Sequence, residues 1–187
     1  MSSHHIVREK QEPALYIHKL ANFDEEYLGQ LLEWSPTLLV HGSEYEKILS
    51  LGLKVDIIIN PSDQAHIQEN SKLIDTEADG IVGVVDFLIS EKYPAVNIIS
   101  DVNGIAQLER FVSSIDIVLF TEFYKSYPVK TGFSVWKAKD SIFRLEAASD
   151  IKAINLNILD NGDYQVVSDG FVEFTFSSSY LFISELL

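Results

Sequence analysis

The sequence predicts an α/β fold in which a domain built on a parallel sheet precedes a small antiparallel β domain. Through residue 121, short runs of Ile, Leu and Val alternate with helical patterns, which is typical of a parallel sheet with right-handed crossovers. Beyond Phe133 the helical patterns stop, and short β-type runs are separated by the turn signals Asn161-Gly162 and Asp169-Gly170.

The first part contains about five predicted strands and four predicted helices. Asn22 is the predicted N-cap of a helix over 23–33, and Ser43 with Glu46 forms a capping box for a second helix that ends before Gly52. Apolar spacing predicts helices over 78–91 and 105–112, and residues 71–75 fit either a short strand or an irregular segment. The predicted strands are Ala14–His18, Thr37–His41, Val55–Ile59, Ala95–Ile99 and Asp116–Phe120.

The second part begins after a predicted linker at 124–132, which has a Pro and a Gly and no periodicity. The predicted strands that follow it are 133–138, 142–146, 154–158, 164–167, 171–176 and 180–184. About 55 residues of antiparallel β structure are too few for a robust sandwich alone, so this part should pack on the first domain, on a second copy, or on both.

Composition excludes several function classes. The 14 basic and 28 acidic residues give a net charge of −14, which disfavours binding to nucleic acids and to anionic membranes. The absence of cysteine excludes disulfides, thiol catalysis and Cys-type zinc sites. Without a long apolar run or an apolar signal core, the chain is expected to be cytoplasmic. His4 and His5 are adjacent at a polar end, where a third metal ligand is lacking nearby.

The candidate site is the polar loop after the third strand, because open α/β sheets bind ligands at the carboxyl ends of their strands. The loop carries Asn60, Ser62 and Asp63. Carboxylates at such strand ends can hold Mg²⁺ and, through it, a di- or triphosphate, although polar residues there also serve as turn formers and caps. The polar residues after the next two strands are Asp101, Asn103 and Glu122.

Short catalytic motifs are missing, since the chain has no Walker loop, GxGxxG, GxSxG or HExxH. His41-Gly42-Ser43 places a hydroxyl near an imidazole, but Ser43 is better explained as a helix cap than as a nucleophile.

The chain resembles the thiamine pyrophosphokinase family in several segments. Residues 51–59 match the lead-in of that family, a Pro-Asp-(apolar)₃ strand before Gly-Asp-Phe-Asp-Ser, and residues 2–15, 28–36 and 164–185 are similar to bacterial members. The resemblance implies a Rossmann-like three-layer α/β domain at 1–131 and a small antiparallel β-sandwich domain at 132–187. It also implies a homodimer that transfers pyrophosphate from ATP to thiamine with Mg²⁺ held by aspartates.

The catalytic motifs of that family are degenerate here. Asn60-Pro61-Ser62-Asp63-Gln64 stands where the family has Gly-Asp-Phe-Asp-Ser, so Asp63 alone is kept. Ala78-Asp79 stands for its Thr-Asp, without the lysine that follows. Residues 103–108 replace Gly-Gly-Arg-x-Asp-His and keep one glycine. Pro61 also removes a backbone N–H that could face phosphate.

Three hypotheses follow from the residues and the resemblance. The first is a catalytically impaired family member that binds thiamine, thiamine diphosphate or a nucleotide, with a ligand site formed by Asn60, Ser62, Asp63, Asp79 and Asp101. The second is an active kinase whose active site has shifted to Asp63, Asp79 and Asp101, with Mg²⁺ held by Asp63 and Asp79. The third is a non-enzymatic dimeric interaction protein. Trp136 is a candidate for stacking on a ligand, and a position in the core is the competing interpretation.

Overall fold

The chain forms two compact units, Met1–Ile117 and Val118–Leu187. The computed structural model describes residues 12–61, 67–76, 80–145 and 150–187. The units divide between Ile117 and Val118, whereas the sequence placed the domain boundary between residues 131 and 132.

Unit 1 is built on a parallel sheet with the strand order β5-β1-β2-β3-β4. Its pairs β1–β2, β1–β5, β2–β3 and β3–β4 are all parallel, as the alternating pattern predicted. All four residues of β1 are fully buried, because the strand is covered on both faces. These strands are β1 (Ala14–Ile17), β2 (Leu38–His41), β3 (Ile57–Ile59), β4 (Lys72–Ile74) and β5 (Ala95–Ile99).

The helices of unit 1 lie between these strands, in the order that the sequence predicted. They are α1 (Glu25–Leu32), α2 (Tyr45–Ser50), α3 (Ile81–Ser90) and α4 (Ile105–Leu108), with 3₁₀ turns at Gly42–Glu44 and Glu109–Phe111. The apolar face of α3 supplies Ile81, Val84, Val85 and Leu88 to the core. Among the described residues, no helix is long and apolar enough to cross a membrane.

Two predicted helix caps are wrong. Asp24, not Asn22, caps α1, because its carboxylate accepts the Tyr27 N–H at 3.0 Å. His41, not Ser43, caps the turn before α2, because its imidazole accepts from the Ser43 N–H. In both cases the chain offered two capping residues close together, and the backbone conformation selected one of them.

Unit 2 consists of antiparallel strands. One ladder has the order β11-β12-β9-β14-β7-β6, and a separate sheet has the order β10-β13-β8. The strands are β6 (Asp116–Phe120, which crosses from unit 1), β7 (Tyr124–Val129), β8 (Phe133–Lys137), β9 (Ile142–Leu145), β10 (Lys152–Ile154), β11 (Leu156–Ile158), β12 (Tyr164–Val166), β13 (Gly170–Thr175) and β14 (Leu181–Leu186).

Two predictions for this part are wrong. The predicted linker forms strand β7, which pairs along its whole length with β14. The single strand predicted over 154–158 is two strands in different sheets, separated by Asn155 at φ +64°. The side-chain oxygen of Asn155 accepts the Ser168 N–H, and its side-chain nitrogen donates to the Ser168 carbonyl. These two bonds hold the chain between β10 and β11.

The two sheets of unit 2 share one apolar core. Phe143 of β9 and Phe174 of β13 are fully buried, and their ring centroids lie 5.4 Å apart in an edge-to-face arrangement. Val129, Val166 and Ile183 from the longer ladder complete the core against Val172.

Trp136 is not in this core. It is 56% exposed on β8, directly opposite Phe171 of β13, which is 67% exposed. Ile154 of β10 is 63% exposed, and strand alternation puts it on the same outward face of the three-stranded sheet. We call Trp136, Phe171 and Ile154 the aromatic face. The interpretation of Trp136 as a core residue is therefore wrong.

Gly42 marks the closest approach of two chain segments in unit 1. A Cβ at this position would lie 2.4 Å from the Asn60 carbonyl oxygen and 2.9 Å from the Pro61 Cα. Both contacts are to backbone, which cannot rotate away. The start of the turn before α2 and the end of β3 can meet only because residue 42 has no side chain.

We predict that Gly42→Ala lowers the free energy of unfolding by about 1–3 kcal/mol, because the new methyl group forces the backbone apart. Gly29→Ala is the matched control, since a Cβ there meets nothing within 4 Å inside α1. It should stabilise by about 0.5–1 kcal/mol through helix propensity. Urea unfolding measures both, and equal effects at the two positions would contradict the close approach.

Candidate functional site

Unit 1 has an open pocket of about 410 Å³ where its parallel strands end. His18 follows the last residue of β1, His41 is the last residue of β2, and Val102 lies three residues beyond β5. The remaining lining comes from the starts of two helices, Gly80 and Ile81 at α3 and Gly104 and Gln107 at α4. The pocket therefore lies at the edge where an open α/β sheet usually binds its ligand.

Two imidazoles stand side by side in this pocket. The ring centroids of His18 and His41 are 5.5 Å apart, with an interplanar angle of 74°. The Nδ1 atom of each ring is hydrogen-bonded to a hydroxyl two residues away in the chain. His18 Nδ1 lies 3.1 Å from the Tyr16 hydroxyl, and His41 Nδ1 lies 2.9 Å from the Ser43 hydroxyl. These bonds fix the ring orientations, so the pair is a defined part of the pocket wall.

Burial lowers the pKa of His18, and the neighbouring His41 lowers it further. Asp101 and Glu44 act in the opposite direction, while Lys19 adds to the lowering. The lowering prevails, so the neutral imidazole is favoured in the folded protein. In the unfolded chain His18 binds its proton more readily, and acidification through this range therefore costs stability.

An ion pair lies next to the segments that line the pocket, and its carboxylate, Glu44, is buried while its ammonium, Lys19, is 44% exposed. Glu44 is 3% exposed, and its carboxylate accepts from Lys19 Nζ at 2.5 Å and from the Leu20 N–H at 3.1 Å. Burial alone would raise the pKa of Glu44, but the bonds from Lys19 and Leu20 outweigh it and the pKa is lowered. The pair joins the segment after β1 to the turn after β2, the two segments that carry His18 and His41.

Asn60 is described and has a structural task. It has φ +49°, and its side-chain oxygen accepts the Thr76 N–H at 2.8 Å. Its amide nitrogen donates to the Thr76 hydroxyl at 3.1 Å. The amide thus ties the end of β3 to the segment after β4, and Asn60 does not line the pocket.

Of the other predicted site residues, one lies beside the pocket, two lie elsewhere and the rest are outside the described residues. Asp101 is exposed next to the pocket residue Val102, and its charge acts on His18. Asn103 accepts the Ile105 N–H at 3.1 Å at the start of α4, and Glu122 is exposed in unit 2. Outside the described residues lie Ser62, Asp63, Asp79, His4 and His5.

Within the described ranges, no three His, Asp or Glu side chains converge as a metal-binding set. The two predicted Mg²⁺ ligands, Asp63 and Asp79, lie outside those ranges. The described part of the site therefore does not itself form a Mg²⁺ site. What it offers a ligand is two imidazoles, the Gln107 amide and a small apolar wall.

Sequence analysis did not identify His18, which lines the pocket, as a candidate site residue. The residue was counted as the end of the first strand, and nothing in its immediate sequence marks a site. A usable signal was present in the repeated pattern of an apolar strand that ends in His, at Tyr16-Ile17-His18 and again at Leu39-Val40-His41. In a parallel sheet, two such strand ends lie at one edge.

No protein-family model matches the chain, and a search of curated proteins finds no relative. Solved structures do match it over nearly its whole length. Thiamine pyrophosphokinase from Bacillus subtilis aligns with a TM-score of 0.66 at 13% identity, covering 92% of this chain and 98% of the other. The thiamin pyrophosphokinase of Geobacillus thermodenitrificans gives a TM-score of 0.66 at 9% identity, covering 93% and 97%.

Yeast thiamin pyrophosphokinase aligns with a TM-score of 0.60 at 8% identity, covering 98% of this chain and 88% of the other. The chain therefore has the fold of thiamine pyrophosphokinases, with parallel strands in one sheet and a separate antiparallel sheet. This confirms the resemblance that the sequence predicted, at the level of the fold.

We predict that Glu44→Gln lowers the free energy of unfolding at pH 7 by about 1–3 kcal/mol, the range for losing hydrogen bonds to a buried charged group. Because the pKa of Glu44 is lowered by folding, its contribution is present above pH 4.5 and is lost as the pH falls further. The difference between variant and wild type should therefore shrink in acid.

Glu46→Gln, an exposed change two residues further on in α2, is the control and should have little effect. Urea unfolding at several pH values measures all three proteins. A difference that stays constant down to pH 3 would contradict the ion-pair account.

Proposed function

We propose that this protein is a thiamine pyrophosphokinase-like protein with impaired catalysis, which binds thiamine, thiamine diphosphate or a nucleotide in the unit 1 pocket. The observation that supports this most is the pairing of a nearly full-length fold match with the pocket wall of His18, His41 and Gln107. Pyrophosphoryl transfer depends on metal and cationic side chains to neutralise phosphate charge, and the described lining contains neither Lys nor Arg.

The proposal includes the finer assignments made from the sequence. The first domain is a Rossmann-like three-layer domain, the second is a small β-sandwich, and the protein is cytoplasmic. Ser62, Asp63, Asp79 and Asp101 remain ligand-binding residues in this proposal, and Asn60 positions the loop that carries the first two. In the alternative, an active thiamine diphosphokinase, Asp63 and Asp79 hold Mg²⁺.

A thermal-shift screen with thiamine, thiamine diphosphate, ATP and AMP, each with and without Mg²⁺, tests this function. Ligand at 100 times its Kd stabilises the folded protein by about 2.7 kcal/mol, which raises Tm by several degrees in a chain of this size. We expect a shift that does not need Mg²⁺ and that Gln107→Ala weakens. Gln30→Ala, on the exposed side of α1, is the control and should leave the shift unchanged.

Two other outcomes of the thermal-shift screen would favour one of the alternative functions. A shift with ATP that requires Mg²⁺, together with AMP release in a coupled assay, would establish the active kinase instead. A screen without any shift would contradict ligand binding and would leave the interaction protein as the surviving hypothesis.

We also propose that the protein is a homodimer in which the aromatic face of unit 2 contacts a second copy. The face places two exposed aromatic rings opposite each other on β8 and β13, which is costly to leave in water. Lys152 and Glu173 lie on the same side of this sheet by strand alternation. A face with both charge signs beside an apolar centre can pair with its own copy around a twofold axis.

We predict that the variant with both Trp136→Ser and Phe171→Ser is monomeric in sedimentation velocity at micromolar concentration, whereas the wild type is dimeric. Trp34→Ser removes an even more exposed tryptophan, at 72%, from unit 1, and this variant should stay dimeric. A monomeric wild type, or a dimeric double variant, would contradict the assignment of this face.

A further inference from the structure

The pocket in unit 1 has an unusual source of positive charge. Among its described lining residues, His18 and His41 are the ones with basic side chains, and Gln107 is neutral. Lys19, the nearest lysine along the chain, is bonded to the buried Glu44. A negative group that enters the pocket must therefore be neutralised by an imidazole or bring its own cation.

The hydrogen bonds define which nitrogen of each ring is available. A backbone N–H can only donate, so the bond from the Ser43 N–H makes His41 Nδ1 an acceptor. The Tyr16 hydroxyl lies 3.1 Å from His18 Nδ1 and can donate to it or accept from it, so Nε2 is the ring nitrogen of His18 that is left for a ligand. The Nε2–H of His41 is a donor in the neutral ring, and His18 Nε2 is a donor once that ring takes up a proton.

The charged groups around His18 set the direction of its response. Burial, His41 of β2 and Lys19 after β1 lower its pKa, while Asp101 after β5 and Glu44 before α2 raise it. His18 is therefore neutral in the empty pocket at neutral pH. An anion beside the ring adds negative charge at short range, which raises the pKa and draws a proton onto the ring.

We infer that this pocket binds a phosphoryl-type oxyanion without a metal ion, held by His18 and His41, and that its affinity rises as the pH falls. This deepens the proposed function and rests on it, because the anion would be the phosphate of the same ligand. Close spacing of the two rings disfavours a second proton, so one proton is taken up for each anion bound. Binding then tightens by up to about tenfold per pH unit between the bound-state and free-state pKa of His18.

The net charge of −14 does not prevent this. At physiological ionic strength, charges farther than about 8 Å from the anion are largely screened. Of the nearby carboxylates, Glu44 is already neutralised by Lys19. Among the described residues, the local charge is therefore set by the two imidazoles and Asp101.

Inorganic sulfate is the test ligand, because its own charge is constant from pH 8 to below pH 6. NMR titration of the His18 ring resonances against pH, with and without saturating sulfate at matched ionic strength, measures the proton uptake in the wild-type protein. We expect sulfate to raise the pKa of His18, and calorimetry to show an affinity that increases towards acid without Mg²⁺.

Variants locate the effect. His18→Gln should abolish the pH dependence of sulfate affinity. His41→Gln should weaken sulfate at every pH. Lys92→Gln, which removes an exposed cation outside the pocket, is the charge-matched control and should change neither. If a histidine variant does not fold, the wild-type NMR titration still decides the question.

The inference is overturned if sulfate does not bind at pH 6, or if its affinity is the same at pH 6 and pH 8. It is also overturned if sulfate leaves the pKa from the His18 ring resonances unchanged. Any of these results leaves the proposed function standing when thiamine compounds or nucleotides still shift Tm. Conversely, acid-strengthened sulfate binding without any response to those compounds supports the inference and contradicts the proposed function.

Discussion

The burial of β1 on both faces is the constraint from which the rest of unit 1 follows. Its four side chains have no exposure, and the strand pairs with β2 on one side and β5 on the other. A charged side chain within such a strand would lose its water, so the charged and imidazole side chains come after the strand, and the one buried polar group in it, the Tyr16 hydroxyl, contacts His18. The side chains that come after the strand are those of His18 and Lys19. Lys19 then binds Glu44, and this ion pair fixes the second histidine-bearing segment against the first.

The described wall of the pocket is formed by groups other than the aspartates that the sequence resemblance implied, since Asp63 and Asp79 lie outside the described residues. It offers imidazoles and an amide. Imidazoles provide positive charge only when they bind a proton. This chemistry is the basis of our proposal that the pocket holds its ligand under the control of pH.

Local sequence predicted the elements well wherever one pattern had no competitor. Runs such as Ala14–Ile17 and Ala95–Ile99 are short and mostly apolar, and they form strands in the structure. Prediction failed where two local choices had similar energies. The N-cap of α1 is Asp24 and not Asn22, which lies two residues earlier. Residues 124–129 form a strand because β14 pairs with them along their whole length. A pairing partner that is 58 residues away does not change the local propensity or periodicity from which strands are predicted.

Residue types and their spacing were enough to predict the α/β character of the first unit and the β character of the second, and to show that short catalytic motifs such as GxGxxG are missing. These depend on residue type and spacing within a few residues, which is all that propensity and periodicity record. Only the three-dimensional arrangement brings His18 and His41 into one pocket, bonds Asn60 to Thr76 and leaves Trp136 exposed. These facts depend on which segments meet in space, and that is fixed by burial and strand order over the whole unit.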